Sequence, residues 1–270
     1  MNCFACPPSS LDTHKRVKRK EEIPTNAGLH SAGLWSTISL LNHACASNTQ
    51  LSFIGDMMVI RASQDLGPDT EINFWYKQLD PAMCESRSKK FKHWGFECDC
   101  AICQDHEKTK AAVLWKRKNL RDAIEKHLDH KGQEAKTEIA LDQLADTYTT
   151  PAPEVPRVCI WELELQLAER YAERKKHFKA VEYALRALGS LGYVVEGGNL
   201  PRSSEDANKS LVIKHWGLIF NSLIECWMLL AGAYRLVAPD LEAQAKEYAK
   251  VTYKICIGED ETFEEMYGSV

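Results

Sequence analysis

The stretch LLNHACASNTQLSFIGDMMVIRA, residues 40–62, decides how the rest of this chain is read. Its first half places Asn42, His43 and Cys45 within four residues, with Asn48 close behind. Its second half is two apolar runs, LSFI and MMVIRA, separated by Gly55-Asp56. A two-residue turn that opens with glycine suits a β-hairpin, because the first turn position can need a positive φ. Polar side chains with chemical capability therefore sit just before a strand. They could form a reaction site, a metal site or the polar corner of a core.

Composition narrows the choice. The chain has 270 residues, a net charge of −4 and 44% hydrophobic residues, enough for one large or two modest domains with real cores. Mild acidity gives no bulk attraction to nucleic acid, and only KRVKRK (residues 15–20) forms a basic cluster. The longest apolar run, LIFNSLIECWMLLAGAY (residues 218–234), is interrupted by Asn221 and Glu225. A buried amphipathic helix explains it better than a membrane span, which needs about 20 apolar residues. MNCFACPPSS has neither a charged leader nor a secretory segment. A soluble protein of the nucleus or cytoplasm is expected, with no membrane partner.

The sequence changes period along its length. Residues 33–76 read as strands and turns, with LGPD breaking the chain before a strand over TEINFWY. From about residue 108 the apolar spacing is helical. Leu120, Ile124 and Leu128 mark one helix, and Ile139 with Leu144 a second. Ile160, Leu163, Leu167 and Tyr171 mark a third, and Phe178, Val181, Leu185 and Leu188 a fourth. Trp216, Phe220, Leu223, Trp227 and Leu230 form a further stripe, followed by Leu241, Ala245, Tyr248 and Ala249. TTPAPEVP (149–156) and EGGNLPRSSED (196–206) are breaks between helices. The expected class is α+β: a small β region followed by an array of helical hairpins of tetratricopeptide type.

Ten cysteines are unevenly spread. In CDCAIC, Cys98, Cys100 and Cys103 fall within six residues, too close for a comfortable set of mutual disulfides. A tight turn can aim three thiolates at one cation. Zinc takes four ligands in a tetrahedron, so a fourth must come from elsewhere. Cys45 is the natural donor, with His43 and His106 as weaker candidates. Cys159, Cys226 and Cys256 lie in helical patterns and read as buried small hydrophobes. Cys3 and Cys6 have no obvious partner pair and are read as unliganded.

These residues carry a resemblance. SLLNHACASN (39–48) resembles the N-H-S-C-x-P-N signature of SET-domain lysine methyltransferases. GPDTEINFWY (67–76) is similar to the G-E-E-[LI]-T-x-x-Y strand of that family, and FECDCAIC (96–103) to its post-SET zinc segment. The helical half points to the SET-and-MYND branch. The resemblance covers about residues 33–103 and implies a partial SET-type β fold binding S-adenosylmethionine. It assigns Asn42 and His43 to the methyl donor, partly through backbone groups, and Phe96 to its adenine. Asn2, within an Asn-x-Phe stretch, is implied to help. Cys45, Cys98, Cys100 and Cys103 are implied as ligands of structural Zn2+. The implied domains are a partial SET domain (1–76, with an inserted loop at 9–33), a post-SET zinc segment (77–107) and a helical tetratricopeptide-like domain (108–270).

The chain also departs from that pattern. Ala44 stands where serine is usual, and the proline before Asn48 is missing. Counting from Gly67 puts the family's tyrosine on Phe74, which has no hydroxyl; Tyr76 lies two residues on. Tyr76 is therefore the expected catalytic hydroxyl, with Phe74 an aromatic wall of the donor site. No Gly-x-Gly stands ahead of Asn42, so the chain reads as the C-terminal part of a SET protein that alone binds the donor weakly or not at all. Two functions follow: a lysine methyltransferase acting on a protein substrate, or a zinc-stapled scaffold whose helices bind peptides without catalysis. A nucleic-acid-binding zinc protein is disfavoured by spacing and charge. The basic run in the inserted loop reads as solvated surface rather than a localisation signal.

Overall fold

The computed structural model describes residues 4–6, 9–19, 31–77, 91, 94–202 and 209–268. Strand β1 (Phe4–Cys6) pairs antiparallel with β2 (Ser31–Gly33), Phe4 opposite Gly33. Between them runs α1 (Ser10–Lys18). Ser9 starts this helix: its Oγ accepts from the Asp12 N–H at 2.9 Å and donates to the Asp12 carboxylate at 2.8 Å. Lys15, Arg16 and Lys18 occupy the last turn, where the helix dipole favours cations. Residues 9–33, expected as a solvated inserted loop, thus contain a helix and a strand. A polar sequence hid the helix, because one buried side chain, His14, anchors it, with its ring 2.9 Å from the Tyr267 hydroxyl.

A 3-10 turn (Ile38–Leu40) leads into β3 (Asn42–His43). The expected hairpin follows as β4 (Thr49–Ile54) and β5 (Met57–Ala62), joined by Gly55-Asp56. Gly55 has φ +60° while Asp56 stays negative, the pattern of a turn whose twist matches the flanking strands. Strand β6 (Asn73–Phe74) pairs parallel with β3, Asn42 opposite Asn73 and His43 opposite Phe74. It is shorter than the strand expected over residues 70–76. Two residues of ladder suffice because side chains complete the join. Asn48 and Asn73 exchange backbone-to-amide bonds of 3.2 and 3.0 Å, and Asn48 Nδ2 donates to Glu71 O at 2.8 Å. Thr49 Oγ1 donates to Asn73 O at 2.7 Å. Asn48 is therefore held by segment 71–73 on both its backbone and its amide.

The helical half consists of α2 (Ala101–Lys108), α3 (Ala111–Leu128), α4 (Glu134–Ala145), α5 (Trp161–Glu173) and α6 (His177–Ser190). A hairpin of β7 (Val194–Glu196) and β8 (Val212–His215) comes next. Then come α7 (Leu223–Val237), α8 (Glu242–Ile257) and α9 (Phe263–Tyr267). Helices pack as neighbours, α3 on α4, α5 on α6 and α7 on α8. Leu163, Leu167, Val181 and Leu188 are buried, each such aliphatic chain contributing about 1.5–3 kcal/mol.

Three details correct the helical stripes. Ile139 and Phe178, expected inside, are 59% and 53% exposed. Trp216 and Phe220 precede α7; the hairpin, not a helix, sets Trp216 against Tyr193 and Tyr248, at 5.8 and 6.1 Å. Their spacing imitated a helical repeat by coincidence. Cys226 and Cys256 are buried and free as expected, whereas Cys159, also buried, is disulfide-bonded. Among the described residues no helix is long and apolar enough to cross a membrane.

The two halves share one core. Strand β4 and helix α1 both pack against α8. Trp75 lies 5.0 Å from Phe220, which stacks on Trp161 at 4.9 Å. Arg61 Nη2 reaches across to Gly258 O at 2.7 Å, where α8 ends in a left-handed residue of φ +98°.

Candidate functional site

The cysteine-rich turn is extended at Cys98 to Cys100 and becomes α2 at Ala101, which brings Cys103 back toward the other two. Cys45 approaches from the loop after β3. The sulfurs of Cys45, Cys98, Cys100 and Cys103 all lie within 4.8 Å of one another, and Cys45 is 3.6 Å from Cys103. Four sulfurs placed tetrahedrally around zinc at about 2.3 Å stand about 3.8 Å apart, so the donor set fits that ion. Cys45, Cys98 and Cys103 are buried and Cys100 is half-buried. His106 is not part of the group. The Trp75 indole N–H donates to Cys45 O at 2.8 Å and holds the incoming loop in place.

The electrostatics agree with a cation site. Cys98 and Cys100 are pushed toward the thiolate, foremost by hydrogen bonds from Cys100 and Cys103 respectively. Cys45 and Cys103 are pushed the other way, foremost by hydrogen bonding with Cys100. Ionising all four sulfurs in so small a volume crowds like charges, and a bound dication relieves exactly that crowding by displacing the remaining protons.

Against the cysteines lies a cluster of aromatic rings. His43 is its centre: the ring is 4.2 Å from Phe91, 5.4 Å from Tyr76 and 6.0 Å from Phe96. Phe91 and Phe96 stack at 5.4 Å, and Trp94 lies 5.8 Å from both Tyr76 and Phe91. Segment 41–43 fixes Tyr76 twice. The Tyr76 N–H donates to His43 Nδ1 at 3.1 Å, and the Tyr76 hydroxyl donates to Leu41 O at 2.6 Å. With its proton committed to that carbonyl, the hydroxyl oxygen keeps lone pairs that can accept from an amine.

The structure brings the rings of His43, Tyr76 and Phe96 within about 6 Å of one another. Phe74 is 5.1 Å from Tyr76, but it is 1% exposed and lies in the core beneath the pocket. Asn42 is exposed on β3 and its amide donates to Glu71 Oε1 at 2.7 Å. Asn2 lies outside the described residues. Sequence reasoning missed Phe91 and Trp94, although FKHWGFECDC places three aromatic residues within six positions of each other. It also missed Glu71 and Trp75, whose roles come from pairing across the chain and leave no local pattern.

Electron-rich ring faces suit a cationic methyl donor and a lysine stem. Asn42, exposed on the same strand as His43, has its amide held by Glu71 Oε1. On these grounds the residues fit S-adenosylmethionine.

Comparison with known proteins agrees with the geometry. Residues 9–77 match the SET domain family. A "Methyltransferase" of Gibberella zeae is 30% identical over 275 residues, covering 100% of this chain and 38% of that protein. "Histone-lysine N-methyltransferase SMYD3" of Homo sapiens is 36% identical over 76 residues, 28% of this chain and 18% of that protein. "N-lysine methyltransferase SMYD2-A" of Danio rerio is 26% identical over 165 residues, 60% of this chain and 37% of that protein. The chain therefore spans 38% of the length of the Gibberella zeae relative.

Proposed function

Because this chain carries a SET domain over residues 9–77 and is related to SET-and-MYND lysine methyltransferases, we propose that it takes part in methyl transfer from S-adenosylmethionine to a lysine of a protein substrate. The bound donor supplies a methyl group on a positively charged sulfur. The protein's own residues supply position. Tyr76 Oη accepts an N–H of the incoming lysine and turns the nitrogen lone pair toward the methyl group. Phe96, Phe91 and Trp94 wall the site with rings that favour cations and exclude water. Asn42 and the backbone at His43 anchor the donor at the edge of β3. Alignment of two reactants needs no acid–base dyad, and well-oriented pairs gain most of their rate from it.

In this reading residues 1–76 and the cysteine segment 77–107 form the catalytic half, and residues 108–270 present the protein substrate. The cysteines hold Zn2+ as a structural staple. A nuclear or cytoplasmic setting is part of this reading.

The observation that supports the reading most is the double fixation of Tyr76 by Leu41 and His43 among aromatic rings. The test is transfer of labelled methyl to lysine in protein acceptors, run on the zinc-loaded protein. Transfer that Tyr76→Phe abolishes supports the proposal. One equivalent of zinc with no transfer to any lysine-containing acceptor would overturn it in favour of the scaffold.

A further inference from the structure

His43 touches both the cysteine cluster and the backbone of Tyr76. Its Nδ1 receives the Tyr76 backbone N–H at 3.1 Å. Its Nε2 lies 3.4 Å from Cys45 Sγ, one of the four clustered sulfurs. A backbone N–H can only donate, so Nδ1 must be the unprotonated nitrogen of the ring. In a neutral imidazole the proton then sits on Nε2, which faces the sulfur. The tautomer follows from hydrogen-bond chemistry alone, and it makes the Nε2 contact an N–H···S bond.

We propose that His43 is a positioning residue that couples the metal cluster to the tyrosine pocket. Cys45, drawn in by zinc, fixes one edge of the ring, and the ring's other edge sets the backbone at Tyr76. Tilted ring contact with Phe91 at 4.2 Å keeps the imidazole from turning away. Groups beyond the metal's own ligands commonly fix ligand orientation in this way. His43 therefore acts outside the ligand set, toward which its ring donates, while holding the hydroxyl donor Tyr76 in register. The tyrosine half of this assignment rests on the proposed methyl transfer; the sulfur half does not.

Two substitutions separate the edges. In His43→Asn the side-chain oxygen takes the place of Nδ1 and keeps the Tyr76 bond, but nothing reaches Cys45. In His43→Gln the amide reaches the Nε2 position and can donate to the sulfur, while the Tyr76 N–H loses its acceptor. The expected result is faster zinc release to a chelator by about 10–100-fold for His43→Asn. The same variant should shift the thiolate-to-metal absorption of the cobalt-substituted protein. His43→Gln should keep both near the native values and lose methyl transfer instead. Ring nitrogen NMR of the unmutated zinc protein should show the His43 proton on Nε2, assigned by its loss in His43→Gln.

A proton on Nδ1 overturns the proposal, as do native zinc release and an unshifted cobalt spectrum in His43→Asn. Neither measurement needs turnover. If the protein transfers no methyl group, the proposed function fails while the link from His43 to the cluster is still decided. If His43→Asn does not fold, the NMR tautomer and the His43→Gln metal readouts decide it alone.

Discussion

The Tyr76 hydroxyl donates to the carbonyl oxygen of Leu41 at 2.6 Å, so one residue's side chain is aimed by another's backbone. Tyr76→Phe keeps the ring and removes that bond, worth a net ~1 kcal/mol. Stability should change little. Methyl transfer should fall by about 100-fold or more, since misplacement of a reactant by 1 Å costs that much. The reverse exchange gives the contrast. Phe74→Tyr buries a hydroxyl in the core and should destabilise by about 1–3 kcal/mol. It should not restore activity to Tyr76→Phe. Chemical denaturation and single-turnover transfer read the two effects separately.

The four-sulfur cluster predicts one zinc per chain. Metal analysis of the purified protein should give close to one equivalent. Cys98→Ser should drop this well below one and lower the melting temperature, because a structural site lends its binding free energy to folding. A chelator should destabilise the native protein and leave Cys98→Ser almost unaffected. Equal melting with and without chelator in the native protein would remove the structural role.

Glu164 is fully buried on α5, and burial pushes its carboxyl upward while Arg186 and Ser190 pull it back. Arg186 Nε donates to it at 3.2 Å and Ser190 Oγ at 2.6 Å. Glu164→Ala leaves Ser190 without its acceptor and removes one of two carboxylate partners of Arg186, which keeps Asp142 at 2.8 Å, and should cost about 1–3 kcal/mol in urea unfolding. Glu164→Gln keeps an acceptor for Ser190 and should cost less.

The join between α1 and the C-terminal helix should be pH-sensitive. Burial lowers the His14 pKa from its ordinary 6.5, with Lys18 acting in the same direction and Glu225 opposing. A depressed value means that the folded state prefers neutral His14. Its contribution is present above pH 6.5 and is lost as pH falls through the folded value. His14→Gln, which can still reach the Tyr267 hydroxyl, should be less stable than native at pH 7.5. That gap should narrow by pH 5. A gap that widens on acidification would contradict the assignment.

Much of the β half was legible because its information is local. Gly55-Asp56 named its own turn, and CDCAIC announced a metal site through spacing alone. Asn42, His43 and Cys45 were told apart by the family resemblance, while the contact of His43 with both Cys45 and Tyr76 emerged only once β3 lay between the aromatic rings and the cysteine turn. The strand over residues 70–76 was overestimated, since β-propensity in TEINFWY says nothing about how many neighbours a strand will find. Helix α1 was missed for the opposite reason. Its residues are polar, and its place is set by His14 meeting Tyr267, some 253 positions away. Trp216 and Phe220 show that a 3.6-residue spacing can arise from a hairpin and a loop. Phe91 and Trp94 were visible as aromatic residues, but nothing local linked them to Tyr76.

Cys45 and Cys103 lie 58 positions apart in sequence and 3.6 Å apart in space. Cys98, Cys100 and Cys103 can gather a metal ion as soon as their short turn has left the ribosome, because they need no distant partner. Capturing Cys45 then closes a long loop, whose length-dependent entropic cost is roughly 3.6 kcal/mol. Metal coordination meets that cost in one step. A bound ion would thus favour one order of assembly, in which the cysteine turn forms first, the β3 loop is drawn back onto it, and β6 meets β3 with both ends of the intervening chain already close.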